Sequence, residues 1–218
     1  MLWLHGSISD SWRSYQFRYC SVNNSGLGFI KKQLVKIYGK EKTDVIVDLA
    51  QKHYQECSEL CKDASKGEWT HLEDTILPTT AVYKALLEVD NENALTNTND
   101  IIINLCETGG SILNNILKVP GMPSVFMKVL PKMAVKLFGR ECGFDYINFE
   151  ANKNRVQMVM TMCPYVKYAK RFQVEELMPV FCNSDFATYG SLEKIIFRRT
   201  ETLGTGGSKC DFSFVRNE

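Results

Sequence analysis

The spacing of the apolar residues changes at Gly139, and this change constrains the fold more than any other feature of the chain. Before Gly139, apolar residues recur every three or four positions, which is the pattern of amphipathic helices. After it, they alternate with polar residues in short runs, as in strands with one buried face. We therefore predict an α+β fold in which a helical N-terminal half packs on a C-terminal antiparallel sheet of about four strands.

Two helices are predicted at the start of the helical half. The first is expected to stop at Gly39, where an apolar face that recurs at helical spacing ends. The second is expected to run from Thr43 to about Ala64, and we interpret Lys66 and Gly67 as its end.

Three more helices are predicted before the change of pattern. One opens at Pro78, since proline fits the first turn of a helix. The next covers about 92–117 and is expected to break at Gly109 and Gly110, and the last covers 124–138.

The sheet half is predicted to contain two pairs of strands. Residues 144–150 and 155–163 form the first pair, joined by a turn at the intervening NKN. A helical segment at 174–190 separates them from a closing hairpin. That hairpin is formed by 195–203 and 210–215, and its connection contains the glycine-rich GTGG at 204–207.

The domain organisation follows from these patterns. Residues 1–25 show no helical or strand periodicity and are interpreted as a poorly ordered leader. Residues 26–218 are interpreted as one domain, with a helical part at 26–139 and a sheet part at 140–218. A chain of 218 residues with 44% hydrophobic content is long enough to bury a full core.

The composition argues against several classes of partner. A net charge of +1 does not favour nucleic acid. Nor does any run approach the length of a membrane helix, so we expect a soluble protein. The 8 cysteines lack the regular spacing of a disulfide framework, and reduced thiols in the cytoplasm are the preferred interpretation. Self-association into a homo-oligomer stays open.

Side chains alternate between faces in the predicted closing hairpin. One face of the first strand carries Ile195, Phe197 and Arg199, and the other carries Ile196, Arg198, Thr200 and Thr202. We therefore expect one arginine to face the layered side. On the return strand Cys210, Phe212 and Phe214 share a face, which leaves Cys210 open to interpretation as a core residue or a site residue.

Cys182 and Asp185 are three residues apart, and a helix would place them on one face. A carboxylate alone raises the pKa of a thiol, so Arg198 or Arg199 would have to activate Cys182. Asp185 has a second interpretation as a helix N-cap.

Metal binding is the weaker interpretation of the cysteine groups. Cys163, Cys182 and Cys210 have irregular spacing and no CxxC pair, which disfavours zinc. His53, Cys57 and Cys61 align on one helical face, but a core-facing stripe explains them more simply. GTGG lacks the lysine of a phosphate-binding loop, and no histidine lies in a triad-like setting.

Several motifs of the chain occur in the order of a known family. They are CPY (163–165), EL (176–177), FCNSD (181–185), RRTETLGTGG (198–207) and CDFSF (210–214). The chain resembles the L-2-amino-thiazoline-4-carboxylic acid hydrolase family, and ILPTTAVYKALLE at 76–88 is similar to that family's N-terminal helical element. The likeness extends over residues 27–216. Ser213 departs from the family pattern, which often has a basic residue there.

The resemblance implies that water opens the cyclic amidine 2-amino-thiazoline-4-carboxylate to an N-carbamoyl-cysteine, on the bacterial route to cysteine. Such a reaction needs water at the C=N carbon, a proton for ring nitrogen or sulfur, and a cation for the substrate carboxylate. The implied partner is thus a small carboxylate-bearing heterocycle. No metal or cofactor is assigned.

Residue roles are assigned on the same basis. Asp185 is the predicted acid or base, with Cys182 and Cys210 as nucleophile or polarising groups. Arg199 is assigned to the substrate carboxylate, because a planar guanidinium binds it with two hydrogen bonds. The other predicted substrate-binding residues are Thr200, Thr202 and Cys163.

A non-catalytic function is the alternative. Helices that precede an antiparallel sheet are similar to the four-vinyl-reductase type of small-molecule-binding domain. Because a fold does not determine a function, a ligand sensor of this type stays open. Multiple turnovers would distinguish an enzyme from a binder, which would show only a ligand-dependent shift in melting temperature.

Overall fold

The fold is known from a computed structural model, which describes residues 26–217. The predicted leader at 1–25 lies outside the described residues. The α+β prediction is confirmed, because helices make up the N-terminal half and a four-stranded antiparallel sheet lies in the C-terminal half.

Residues 26–217 form seven α-helices and four strands. The helices are α1 (Gly26–Glu59), α2 (Lys66–His71), α3 (Leu77–Val89), α4 (Ala94–Leu117), α5 (Met122–Leu137), α6 (Pro164–Phe172) and α7 (Met178–Tyr189). The strands are β1 (Asp145–Ala151), β2 (Arg155–Met162), β3 (Ile195–Arg198) and β4 (Cys210–Arg216). A π-helical turn at Leu72–Ile76 joins α2 to α3.

Gly39 divides α1 into two helical segments. Its φ of 75° and ψ of 173° are not helical, and this kink lies where the first helix was predicted to stop. Lys66 and Gly67 do not end a helix as predicted but begin α2. Ser65 caps α2 by accepting a hydrogen bond from the backbone N–H of Glu68, while the Glu68 carboxylate accepts one from Ser65.

The predicted break at Gly109 and Gly110 is wrong, because α4 is continuous through both. A Cβ on Gly110 would lie 2.5 Å from the carbonyl oxygen of Thr188, whereas one on Gly109 would meet nothing within 4 Å. Gly110 therefore allows α4 and α7 to approach each other closely. A helix tolerates glycine when packing compensates for its low helix propensity.

The sheet has the strand order β1-β2-β4-β3, and every neighbouring pair is antiparallel. Cross-strand partners share a face, so the register defines one buried face of the sheet. This face carries Val156, Met158, Met160, Cys210, Phe214, Ile195 and Phe197. Helix α5 covers it, and the rings of Phe126 and Phe214 lie 6.5 Å apart. The two central strands therefore build the core of the sheet half.

A bulge at Ile147 interrupts the predicted alternation in β1. Tyr146 pairs with Met160 and Asn148 with Val159, which leaves Ile147 as an extra residue on β1. As a result Tyr146 and Phe149 lie on the same face, with ring centroids 5.9 Å apart.

Helix α7 lies between the helical half and the sheet half. It contacts α4 on one side, and α6, β3 and the loop after β3 on the others. It falls within the helical segment predicted at 174–190, and Pro179 lies in its first turn. Within residues 26–217, no helix is both long and apolar enough to cross a membrane.

Candidate active site

Two side chains from different elements meet at the centre of the candidate site. Arg199, which follows β3 directly, donates from Nη1 to Asp185 Oδ2 at 2.6 Å and to the Cys182 carbonyl oxygen at 2.8 Å. Both residues lie in α7, and the Asp185 charge acts on the Cys182 thiol, so the two side chains share a face of the helix as their spacing predicted. The N-cap interpretation of Asp185 is wrong, because Asp185 lies within α7.

The Arg199 guanidinium packs against two aromatic rings. Its Cζ lies 4.9 Å from the ring centroid of Phe186 and 5.7 Å from that of Phe212. The side chain is only 5% exposed, while the neighbouring Arg198 is exposed. The prediction that one arginine faces the layered side is confirmed. Nε and Nη2 of Arg199 donate to no described residue.

Burial raises the pKa of the Asp185 carboxyl to about 6, although the Arg199 charge and hydrogen bond oppose the shift. The side chain still exposes 32% of its surface, so water reaches a carboxyl that the surrounding protein otherwise desolvates. Cys106 of α4 lies near this carboxyl. Asp185 thus titrates within a unit or so of neutral pH, which suits an acid or base.

Three thiols lie in this region: Cys182 and Cys210 are buried, and Cys163, which is partly buried, lies near both of them. Burial raises the pKa of Cys210 to about 11 and that of Cys163 to about 12. It also raises the pKa of Cys182, although Thr202 and Arg199 oppose the shift. The three thiols influence one another electrostatically, yet no set of three His, Cys, Asp or Glu side chains within residues 26–217 is arranged to hold a metal ion. All three are neutral at pH 7.

The two predicted threonines lie on different sides of the loop at 199–209. Thr202 is 4% exposed, and its hydroxyl bonds that of Thr205 at 2.8 Å. Thr200 is exposed and donates to Asp211 at 2.5 Å. Alternation predicted that they share a face, but β3 ends at Arg198, and the alternation ends with it.

The glycines of GTGG have separate functions in this loop. Only Gly206 has a positive φ, at 91°, as expected for a turn. A Cβ on Gly204 would lie 2.7 Å from the Cys182 Sγ, so Gly204 lets the loop pack on the thiol. The N–H of Leu203 donates to the Cys210 Sγ at 3.2 Å, which places both sulfurs beside one turn.

The histidines with described structure lie outside this site. His71 is buried, and its Nε2 lies 2.6 Å from the Leu137 carbonyl oxygen. His53 pairs with Glu56 and Glu88 rather than with Cys57 and Cys61. Of the three residues predicted to share a helical face, the two cysteines are buried and His53 is only partly buried.

An open groove of about 520 Å³ lies between α1 and α4, away from the candidate site. Polar side chains and one phenylalanine line it: Phe29, Gln33, Lys36, Asn104, Glu107, Thr108 and Ser111. None of these residues belongs to the group around Asp185. The chemistry is therefore assigned to the Asp185 site, where titratable groups converge, and not to the groove.

Residues 69–214 match the sequence model of the L-2-amino-thiazoline-4-carboxylic acid hydrolase family. The chain belongs to this family. The matched range contains every predicted site residue and both elements that bring Arg199 to Asp185. Family membership therefore supports a hydrolase. No match was found among curated proteins.

Comparison of this family member with solved structures finds H-NOX proteins. The Fe(II) unliganded H-NOX protein from K. algicida is 12% identical, with a TM-score of 0.35, and the match covers 88% of this chain and 95% of that chain. A structure from work on heme distortion in the H-NOX family is 10% identical, with a TM-score of 0.33 and coverages of 88% and 93%. A third, from work on protein-induced porphyrin distortion, is 12% identical, with a TM-score of 0.31 and coverages of 90% and 96%. No function is inferred from likenesses this weak.

Proposed function

We propose that the Asp185 site opens the ring of a cyclic amidine, 2-amino-thiazoline-4-carboxylate, by hydrolysis to N-carbamoyl-cysteine. One observation supports this more than any other: a carboxyl that titrates near pH 6 lies 2.6 Å from a buried guanidinium. Membership of the hydrolase family supports the substrate class. The reaction would serve cysteine formation in the cytoplasm of a bacterium.

Arg199 is proposed to bind the substrate carboxylate. Its Nη1 is engaged by Asp185 and by the Cys182 carbonyl, so the Nε and Nη2 edge is the part that offers two parallel donors. Phe186 and Phe212 restrict the plane of the guanidinium, which reduces the entropy that is lost when a ligand binds.

Asp185 is proposed to be the general base and then the general acid. Its ionised carboxylate takes a proton from the water whose oxygen bonds to the amidine carbon between sulfur and nitrogen. As the oxygen bonds, the electron pair of the C=N bond moves to the ring nitrogen. When the tetrahedral centre collapses, the added hydroxyl becomes the C=O of the urea and its proton passes to that nitrogen. The bond from the carbon to the ring sulfur breaks, and the sulfur receives the proton held by Asp185. One water is consumed, and the product carries a free thiol and a urea group.

Cys182 and Cys210 are proposed to act as neutral polarising groups. The thiolate is the nucleophilic form of cysteine, and burial holds the pKa of both thiols above the neutral range. Thr202 lies beside the Cys182 thiol, and Cys163 lies near both the Cys182 and the Cys210 thiol. Thr200 is assigned to the support of the loop, because its hydroxyl donates to Asp211.

A turnover assay on 2-amino-thiazoline-4-carboxylate tests the function. Asp185→Asn and Arg199→Met should each lower kcat/KM at least 100-fold, as expected when a positioned acid-base group or a charged contact is lost. Arg198→Met and Asp48→Asn are the matched controls, because both side chains are exposed. Circular dichroism verifies the folding of each variant. Wild-type turnover by both site variants would refute the assignment, and a ligand-dependent melting shift without product would identify a binder.

A further inference from the structure

We propose that Asp211 is a positioning residue that acts from the outer face of the sheet and holds Arg199 against Asp185. Its kinetic consequence rests on the proposed function, whereas its effect on the charge pair does not. Asp211 touches neither Asp185 nor the guanidinium in any described hydrogen bond, so it acts through the main chain.

Strand β4 directs alternate side chains to the two faces of the sheet. Cys210 and Phe212 face inward, where the Cys210 Sγ accepts a hydrogen bond from Leu203 and the Phe212 ring lies over Arg199. Asp211 lies between them and therefore points outward. It pairs with Val159 in the register of β2 and β4. Three consecutive residues of β4 thus contact the loop at 199–209 from both sides.

The Asp211 carboxylate accepts three hydrogen bonds from the residues that follow Arg199. The backbone N–H of Thr200 donates at 2.8 Å, the Thr200 hydroxyl at 2.5 Å, and the backbone N–H of Glu201 at 3.0 Å. Such bonds to an ionised acceptor are stronger than those to a neutral one. Although burial alone would raise it, the pKa of Asp211 is lowered by these bonds, so the carboxylate stays ionised.

The residue before Arg199 is fixed by the sheet itself. Arg198 pairs with Ser213 at the end of the β3–β4 ladder. Arg199 therefore lies between two anchored neighbours, one held by the ladder and one by Asp211. The direction of its side chain toward Asp185 follows from these two anchors, because a shift at Thr200 rotates the bond that leads to the guanidinium.

Several titratable or charged groups face the Asp185 carboxyl from the elements packed around it. They are Arg199 after β3, Cys106 on α4, Cys182 on α7 and Cys210 on β4. Only Arg199 is cationic, so displacement of Arg199 is the change that would raise the pKa of Asp185 substantially.

The test is the pKa of Asp185, measured by carbon NMR on the full chain in wild-type protein and in Asp211→Asn. Asp185→Asn identifies the resonance. Removal of the Asp211 charge by itself would lower the pKa of a neighbouring carboxyl. Displacement of Arg199 would raise it, and we expect a rise of about one unit. An unchanged or lowered pKa would overturn the proposal.

Glu201 provides a matched control within the same loop. Its carboxylate accepts a hydrogen bond from the backbone N–H of Ser208 at 2.8 Å and pairs with Lys209. These two partners lie at the far end of the loop from Arg199 in the sequence. Glu201→Gln should lower the melting temperature and leave the pKa of Asp185 unchanged. A rise equal to that in Asp211→Asn would indicate general loosening of the loop and refute a specific function of Asp211.

Thr200→Val keeps the Asp211 charge and removes one donor, so it tests the proposal even if Asp211→Asn does not fold. We expect a smaller rise in the pKa of Asp185, and no rise would contradict the proposal. With the thiazoline, the acidic limb of the kcat/KM profile should move by the same amount as the pKa. If wild-type protein does not turn the thiazoline over, the proposed function fails while the NMR result still decides the role of Asp211.

Discussion

Gly110 of α4 lies against the carbonyl oxygen of Thr188 in α7, and a Cβ on Gly110 would be 2.5 Å from that oxygen. Because α7 carries both Cys182 and Asp185, this contact sets the distance between the helical half and the candidate site. The close approach involves two backbones, and neither can move aside as a flexible side chain can.

Gly110→Ala should therefore lower the free energy of unfolding by about 1–3 kcal/mol, the usual cost of overpacking, and should also lower turnover. Gly109→Ala is the control, because nothing lies within 4 Å of its added Cβ. That variant should be as stable as wild type or more stable by up to about 1 kcal/mol, since alanine favours helix. Urea unfolding and the thiazoline assay measure both effects. Equal stability of the two alanine variants would contradict the close contact.

The pH dependence of activity should follow Asp185. The proposed general base is active when ionised, so kcat/KM should rise with pH and level off above the pKa of about 6. A profile measured from pH 4.5 to 8 should show this limb in Arg198→Met and in wild type. If kcat/KM instead stays constant down to pH 4.5, the carboxyl is not desolvated.

The stability contribution of Asp185 should have the opposite sign of pH dependence. Its pKa is raised from 3.8 to about 6 on folding, so its contribution is fully present below pH 3.8 and is lost as pH rises through 6. Between pH 3.8 and about 6, the unfolding free energy of wild type should therefore fall relative to that of Asp185→Asn as the pH rises. Urea unfolding at pH 4, 5, 6 and 7 measures the difference. A difference that grows in favour of wild type with rising pH would contradict the raised pKa.

Cys182→Ser should reduce turnover only a few-fold. A neutral thiol contributes about one weak hydrogen bond, worth roughly 1 kcal/mol or less, whereas loss of a covalent nucleophile abolishes activity. Alkylation of the native protein by iodoacetamide at pH 7 should also be slow at Cys163, Cys182 and Cys210, because burial raises the pKa of each. Mass spectrometry of the labelled protein measures this. A thousandfold loss of turnover would identify Cys182 as the nucleophile.

His71 should make the fold sensitive to acid. Burial lowers the pKa of its imidazole below the usual 6.5, so its stabilising contribution is present above pH 6.5 and is lost as pH falls through the lower folded value. In His71→Gln the decline of unfolding free energy between pH 6.5 and 5 should be shallower than in wild type. His53→Gln is the control, because His53 is only partly buried and pairs with Glu56 and Glu88. An equal slope in wild type and His71→Gln would contradict the prediction.

The central residues of the candidate site could be predicted from the sequence because they follow helical and strand periodicity. Helical spacing placed Cys182 and Asp185 on one face, and strand alternation directed one of two adjacent arginines inward. Both patterns hold up to Arg198, where β3 ends. Thr202 lies beyond the strand, in a loop without regular periodicity, so its burial could not be predicted from the sequence.

Other features lacked a regular signal or had one that was overlooked. The inserted residue at Ile147 shifts the register of β1, so Phe149 joins Tyr146 on one face, whereas strict strand alternation would place them on opposite faces. Helix α6 was not predicted, although Tyr165, Tyr168 and Phe172 recur at helical spacing within it. Asp211 was assigned no role, because its function depends on a partner that the fold brings close.

The position of α7 between the two halves has a consequence for how members of such a family can diverge. A change in α4 that moves the backbone of α7 by a few tenths of an ångström would alter the distance from Asp185 to Arg199 and hence the acidity of the carboxyl. Every ionisable residue of the site would remain in place. Two relatives with identical site residues can therefore differ in working pH or in substrate preference, and the cause would lie at a glycine in a neighbouring helix.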